Sequence, residues 1–198
     1  MARRRFRLSP VFCAFALLAG CASGEQNAEQ RAAQIQKQYA SVAAVSGVCT
    51  VQADYGERVY DFTLSFTWNG EETAVEVLKP ENIAGVRVTV GADGSQLEVD
   101  GVSVETGPLG EENLTPLTAV PRMMKELREG YLAQSTEDTL EERACLRADF
   151  RDPEKEPGEG IEASLWLDEG TGAVLQGELY ADGRRILICG FDSFQIEG

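Results

Sequence analysis

The segment Tyr60–Trp68, YDFTLSFTW, decides the fold of this chain. Its apolar residues occupy every second position with polar residues between them, which is typical of a strand with one buried face. Asn69-Gly70 follows directly, and this dipeptide is the strongest short signal for a hairpin turn between two strands. The predicted buried face carries Phe62, Leu64, Phe66 and Trp68.

Strands of the same kind surround this segment. From Val48 to Val104, short alternating runs are separated by turn signals, among them Asp93-Gly94 and Asp100-Gly101. Successive strands joined by such short turns predict an antiparallel meander with one apolar face. The further predicted strands are Thr73–Leu78, Gly85–Val90, Gln96–Asp100 and Val102–Glu105.

Two regions have a helical period instead. Residues Ala28–Val42 carry apolar side chains at spacings of three and four, and the pattern ends at Gly47. Between Gly107 and Leu140 the period is again helical, which predicts one or two helices that start near Pro116. Gly130 is expected to end or loosen the main helix of this region. Its apolar stripe consists of Leu117, Val120, Met123, Met124, Leu127 and Tyr131.

The strand pattern returns at Ala144–Phe150 and continues in Ile161–Leu167, Ala173–Tyr180 and Arg184–Ile196. This order of elements predicts a mainly β (α+β) fold, an open, curved antiparallel sheet or half-barrel of about nine to eleven strands. We expect the helices to cover the concave face, because the interior of a curled sheet must be filled.

The N-terminal residues resemble a bacterial lipoprotein signal. Four arginines precede an uncharged apolar run, Val11–Leu18, which is too short to cross a bilayer. The likeness of Leu18-Ala19-Gly20-Cys21 to a lipobox implies that Cys21 becomes the lipidated N-terminus, where two acyl chains give a stable anchor. An ordinary secretory peptide cleaved nearby is the alternative. We therefore expect a signal peptide at 1–20, a tether at 21–27 and one folded domain at 28–198.

The composition excludes several classes of protein. The chain has 18 Lys and Arg against 33 Asp and Glu, and loss of residues 1–20 would leave a net charge of −19. We expect no nucleic-acid partner, because such binding depends on cations that neutralise phosphates. The absence of histidine excludes a Ser-His-Asp triad and a histidine-ligated zinc site. Adjacent acidic pairs such as Glu71-Glu72 would point to opposite faces of a strand, so we expect no catalytic residue, metal or cofactor.

Three cysteines remain in the predicted domain, Cys49, Cys145 and Cys189. An odd number allows at most one disulfide within the chain, and the wide spacing is unlike a metal-binding knuckle. We interpret them as buried small side chains; one bridged pair is the alternative, and the sequence does not choose the pair.

The chain resembles the LolA-like superfamily of bacterial lipoprotein carriers and related lipoproteins. The resemblance spans most of the mature chain and rests on the amphipathic N-terminal helix together with five short segments. More particularly, the chain is similar to lipid-anchored members from Gram-positive, spore-forming bacteria. The soluble carrier itself is not lipidated, so the lipobox-like Cys21 implies one of the anchored relatives. The segments are Val59–Leu64, Val77–Val86, Leu165–Asp168, Leu179–Gly183 and Ile188–Phe191.

The resemblance implies a curved sheet with helices over an apolar cavity. We expect an extracytoplasmic protein, held at the cell membrane by acyl chains on Cys21, that binds a lipid or an acylated chain. The alternative is a non-catalytic scaffold that binds an envelope or cell-wall protein, as some relatives do in sporulation and germination. The residues predicted to line the cavity, for which ordinary core is the alternative interpretation, are Phe62, Leu64, Phe66, Trp68, Met123, Met124 and Leu127.

Overall fold

Eleven strands form one open antiparallel sheet in the computed structural model, which describes residues 22–92, 94–107 and 114–197. Cys21, the predicted lipidation site, lies outside the described residues. The strand number and the open sheet confirm the predicted mainly β fold. The strands are β1 (Ala44–Asp54), β2 (Val59–Trp68), β3 (Thr73–Lys79), β4 (Arg87–Gly91), β5 (Gly94–Val99), β6 (Val102–Gly107), β7 (Leu132–Leu140), β8 (Arg143–Phe150), β9 (Ile161–Leu167), β10 (Val174–Ala181) and β11 (Arg184–Glu197).

The sheet consists of two meanders that meet through the first and the last strand. β1 pairs with β11, so the order across the sheet is β6-β5-β4-β3-β2-β1-β11-β10-β9-β8-β7. Every neighbouring pair is antiparallel. β6 and β7 are therefore the two edges of the sheet, and the chain between them contains the second helix.

The Asp100-Gly101 turn lies where its dipeptide predicts it, but two other predicted turns are displaced by one residue. The Asn69 N–H donates to the Glu72 oxygen, so Gly70 and Glu71 are the central residues of the β2–β3 turn. Gly94 belongs to β5 and pairs with Gly91, and Asp93 lies outside the described residues.

Asp100 and Gly101 have φ angles of 51° and 76°, and Asp182 and Gly183 have 48° and 73°. Two consecutive left-handed residues are the signature of a type I′ hairpin turn. The side chain of Asn69 accepts hydrogen bonds from two backbone N–H groups in the β2–β3 turn. These local signals set the register of the meanders.

Two α-helices accompany the sheet, α1 (Ala22–Tyr39) and α2 (Pro116–Glu129). α1 begins earlier than predicted, at Ala22, within the segment expected to be a tether, and it ends at Tyr39 rather than Val42. α2 begins at Pro116 as predicted, where Thr115 caps it through a capping box with Thr118, and the chain leaves the helix at Gly130. Tyr131 of the predicted stripe lies beyond the helix and is 49% exposed. Neither helix is long and apolar enough to span a membrane, within the part of the chain that the structure describes.

β7 was not among the predicted elements. The expectation of helical structure up to Leu140 is wrong beyond Glu129, because Leu132–Leu140 forms this strand. Most of its side chains are polar, and Ser135 is its one fully buried residue. An edge strand packed beside α1 needs no alternating apolar run, so the usual period of two is missing.

One face of the sheet, which we call the inner face, holds the hydrophobic core. Along β1 the buried residues are Val45, Cys49, Val51 and Ala53, and the cross-strand partners on β2 continue the same face. Residues of both helices belong to this one core cluster. The opposite face, the outer face, carries most of the polar side chains of the strands.

Candidate functional site

An apolar row crosses the inner face over five neighbouring strands, from β2 to β6. Its members are direct cross-strand partners, and such partners point to the same face of an antiparallel sheet. The row begins in the core beside α2 and ends at the sheet edge. Its residues are Phe66, Val75, Val88, Leu97 and Val104.

Exposure rises along this row toward the edge strand. Val75 and Val88 are 1% and 3% exposed, whereas Val104 is 54% exposed. Val99 and Val102, which pair with each other on the same face, are 40% and 64% exposed. α2 packs against β1 to β4, β9 and β11, so it covers the centre of the inner face. The edge end of the row is an apolar surface open to solvent.

The residues predicted to line a cavity lie on two elements of the core, strand β2 and helix α2. Phe62 on β2 is partly buried. The other six are at most 5% exposed and belong to the one hydrophobic core cluster, so in this conformation they are closed off from solvent. A ligand would reach them only after α2 moves away from β2. The six are Leu64, Phe66, Trp68, Met123, Met124 and Leu127.

Met123 seats α2 directly on the sheet. A Cβ atom added at Gly177 of β10 would lie 2.5 Å from Met123 Cε and 2.6 Å from its sulfur. The glycine therefore lets the thioether rest on the strand backbone, with Leu165 of β9 beside it. The hydrophobic pattern of the sequence does not identify Gly177 as a site residue, because the need for a glycine there arises only from the contact with α2.

Three phenylalanines form an aromatic cluster where β1, β2 and β11 meet. The ring centroids of Phe66, Phe191 and Phe194 are separated by 5.8, 5.8 and 5.3 Å, which is within the range of favourable ring contacts. Phe191 and Phe194 would point to opposite faces of a regular strand. A bulge opposite Val48 and Cys49 inserts one extra residue, so both rings lie on the inner face. The sequence carries no signal for this bulge.

The C-terminal end of α2 is fastened to α1. Gln36 Nε2 donates hydrogen bonds to the backbone oxygens of Glu126 at 3.3 Å and Gly130 at 2.7 Å. The Glu126 oxygen also accepts from the Gly130 N–H at 2.9 Å, whereas the Gly130 oxygen lies beyond the helix end. The carboxylate of Glu126 lies 2.9 Å from Arg122 Nε and is largely buried. Burial raises the pKa of Glu126 above its ordinary value, although the Arg122 and Lys125 charges act in the opposite direction.

We expect Glu126→Gln to gain stability relative to the wild type as the pH rises. A raised pKa in the folded state means that the wild type is most stable below the ordinary glutamate pKa and loses stability as the pH rises through the folded-state value. The uncharged glutamine avoids this loss. Urea unfolding at about pH 4 and pH 7 measures the difference. Glu154→Gln, at an exposed loop position, is the control, and the same pH response in both variants would contradict the expectation.

The three cysteines are buried, as predicted, and free; Cys49 and Cys189 belong to the hydrophobic core cluster, and Cys145 is buried outside it. Cys49 of β1 and Cys189 of β11 lie on the inner face, and Cys145 lies on β8. Burial, with a smaller effect of Asp192, raises the pKa of the Cys49 thiol to about 12. Among the side chains that the structure describes, no group of three or more His, Cys, Asp or Glu could hold a metal ion.

Several solved structures are similar to this chain. An uncharacterized conserved protein from Thermus thermophilus aligns at a TM-score of 0.52 with 12% identity, covering 86% of this chain and 88% of its own. A LolA superfamily protein from Nitrosomonas europaea aligns at 0.46 with 9% identity over 84% and 94%. The lipoprotein LppX from Mycobacterium tuberculosis aligns at 0.44 with 9% identity over 85% and 93%.

A LolA superfamily protein is thus among the solved structures similar to this chain. At identities this low the likeness is one of fold alone. No protein-family model matches the chain, and no curated protein matches it.

Proposed function

We propose that this protein is a non-catalytic, lipid-anchored envelope lipoprotein that binds a lipid or an acylated chain on the inner face of its sheet. The observation that carries the proposal is the apolar row that leaves the core and stays on the same face up to Val104, 54% exposed at the edge. An acyl chain along this row would remove apolar surface from water, worth about 25 cal/mol per Å². Affinity is therefore expected to rise with acyl-chain length.

The proposed anchor is Cys21, which lies outside the described residues. The two acyl chains of a diacylglycerol on its sulfur would hold the domain at the extracytoplasmic face of the membrane. The acidic mature chain would gain no attraction from anionic lipid, so the acyl chains would have to supply the binding energy. Helix α1 begins at Ala22, directly after the proposed anchor, and would keep the sheet close to the membrane.

Helix α2 is the part of the site that would yield to a larger ligand. Its core stripe includes Met123 and Met124, whose unbranched side chains repack readily around a new neighbour. If this helix moved away from the sheet, the ligand-accessible part of the apolar row would lengthen from its exposed end on β6 to the residues on β2 that are now buried.

The first test is the lipid content of a Cys21→Ser version of the chain, exported and purified without detergent. Mass spectrometry of solvent extracts is expected to find a lipid in stoichiometric amount. A ligand-free, folded protein would instead support a second candidate, a scaffold whose inner face is filled by its own side chains. The burial of Leu64, Met124 and Leu127 at 1% exposure or less favours that candidate.

Trp68 provides the optical signal for a titration. It lies on the inner face at 5% exposure, within the core. Trp166 lies on the outer face, where its Nε1 donates to Asp138 at 2.8 Å and the Arg147 guanidinium stands 5.3 Å from its ring. A Trp166→Phe background therefore leaves a tryptophan that reports on the inner face.

We expect Val104→Asp to weaken fatty-acid binding about tenfold or more. Burial of a valine side chain is worth about 1.5 kcal/mol, which corresponds to roughly a factor of ten in affinity, and a carboxylate in that contact adds a desolvation cost. Saturable change in Trp68 fluorescence measures the Kd. Ser103→Asp adds the same charge one position away on the outer face and is the matched control. Equal Kd values for the two variants would exclude this end of the row as a ligand contact.

A further inference from the structure

The two edges of the sheet are protected to different degrees. α1 packs along β7, where Arg31 forms ion pairs with Glu137 of that strand and with Glu169, both at 2.5 Å. At the other edge, β6 is exposed from Val102 to Thr106, and it pairs with β5 alone among the described strands. Soluble proteins usually protect such an edge with proline, lysine or a covering element, because an open edge accepts another strand. The described part of β6 has none of these.

The side chains of β6 differ between the two faces. Val102 and Val104 continue the apolar inner face, whereas Ser103 and Glu105 lie on the outer face. The hairpin of β5 and β6 carries three acids and neither lysine nor arginine. A segment that adds to this edge would therefore need aliphatic residues on one face and cations on the other.

The backbone of β6 offers hydrogen bonds at Ser103 and Glu105. Val99 and Val102 flank the two-residue turn and form its first hydrogen-bonded pair. Hydrogen-bonded and non-hydrogen-bonded pairs alternate along an antiparallel ladder, so the N–H and C=O groups of Ser103 point away from β5. Those of Glu105 do the same, which provides two register points for an added strand.

An acidic pocket lies on the outer face next to this edge. It has a volume of about 450 Å³, and Glu72 and Glu105 provide the carboxylates in its lining. Glu72 reaches across the end of β4, with its Cγ 3.2 Å from the position of a Cβ on Gly91. The charge at the end of a lysine or arginine side chain placed in this pocket would be stabilised by the two carboxylates.

We propose that the free edge of β6 docks an extended segment of another protein, in which aliphatic and basic residues alternate. The segment adds as one more strand of the sheet, which is a common mode of peptide recognition. Its aliphatic side chains lie beside Val102 and Val104, and its cations lie against Glu105 and the acidic pocket. A second copy of this chain fits poorly, because both molecules carry a net charge of −15 and both edges carry Glu105. The proposal does not rest on the ligand proposed above, although both surfaces include Val104.

The test uses a blocked nine-residue peptide of alternating valine and lysine, labelled for fluorescence anisotropy, with the Cys21→Ser chain. Saturable binding that weakens with added salt is expected, and the corresponding valine–glutamate peptide is expected to bind at least about tenfold more weakly. Ser103→Pro removes an N–H that faces the open edge and is expected to weaken binding about tenfold, whereas Ser103→Thr keeps it and binds normally. Fatty-acid binding is expected to be unchanged in Ser103→Pro.

Glu105→Lys gives a second measurement that does not depend on proline. This exposed substitution is expected to reverse the order of the two peptides, so that the valine–glutamate peptide binds more tightly. Equal affinity of the two peptides, or binding unaffected by both Ser103→Pro and Glu105→Lys, would overturn the proposal. A dimer in sedimentation experiments that Ser103→Pro dissociates would also overturn it, since the occupant would then be a second copy.

Discussion

Gly47→Ala is expected to lose about 3 kcal/mol or more of unfolding free energy. A Cβ atom at this position would lie 2.1 Å from the backbone oxygen of Ser193 and 3.0 Å from two ring atoms of Phe66. The ring can shift, but the carbonyl belongs to β11, which pairs with β1 at this point. Relief would require the two strands to separate, and this strand pair is the junction that joins the two meanders.

Thermal and urea unfolding measure this loss, which corresponds to roughly 6 to 12 °C in Tm for a domain of this size. Gly190→Ala is the matched control, because Gly190 pairs with Thr50 in the same β1–β11 ladder and an added Cβ would meet nothing within 4 Å. We expect that variant to remain within about 0.5 kcal/mol of the wild type. Similar losses in both variants would show that the close contact at Gly47 is not the cause.

Met123→Ala is expected to cost about 2 to 5 kcal/mol, because Met123 is 1% exposed and fills the space between α2 and β10. Gly177→Ala alone is expected to cost about 1 to 3 kcal/mol, since the new methyl group would overlap the methionine side chain. In the double variant the methyl group enters space that the methionine has left. The combined loss is therefore expected to be smaller than the sum of the two single losses.

A double-mutant cycle from urea unfolding measures this coupling, which is expected to be about 1 to 3 kcal/mol. Met124→Ala combined with Gly177→Ala is the control pair, because no Met124 atom is among the three nearest to an added Cβ at Gly177. Additive losses for Met123 and Gly177 would mean that α2 does not rest on β10 in solution. The cycle therefore also tests whether α2 covers the inner face of the sheet, as the proposed role of α2 in ligand binding requires.

Most of the strands could be predicted because their side chains are sorted between two faces. Tyr60–Trp68 alternates cleanly, and its structure is strand β2, with the apolar residues on the inner face. Ile161–Leu167 was predicted with the same bounds as β9. β7 could not be predicted in this way, since an edge strand beside a helix buries too few side chains to impose a period.

The candidate site was predictable only in part. Local sequence could identify β2 and the stripe of α2 as apolar, but it could not place one against the other. The partners that matter at the site come from distant parts of the chain: Gly177 below Met123, and Phe194 beside Phe66. The exposure of Val104 could not be predicted from sequence either, because it depends on which strands α2 covers.

By itself the sequence determined the fold class, the positions of the turns to within one residue, and which face of each regular strand is apolar, because these depend on neighbours a few residues away. It also excluded histidine chemistry outright. Only the tertiary structure decided which strands are edges, how far the inner face is covered, and where the bulge opposite Val48 and Cys49 turns Phe191 and Phe194 to one side. Those features depend on contacts between residues far apart in the chain, and such contacts leave no periodic trace in sequence.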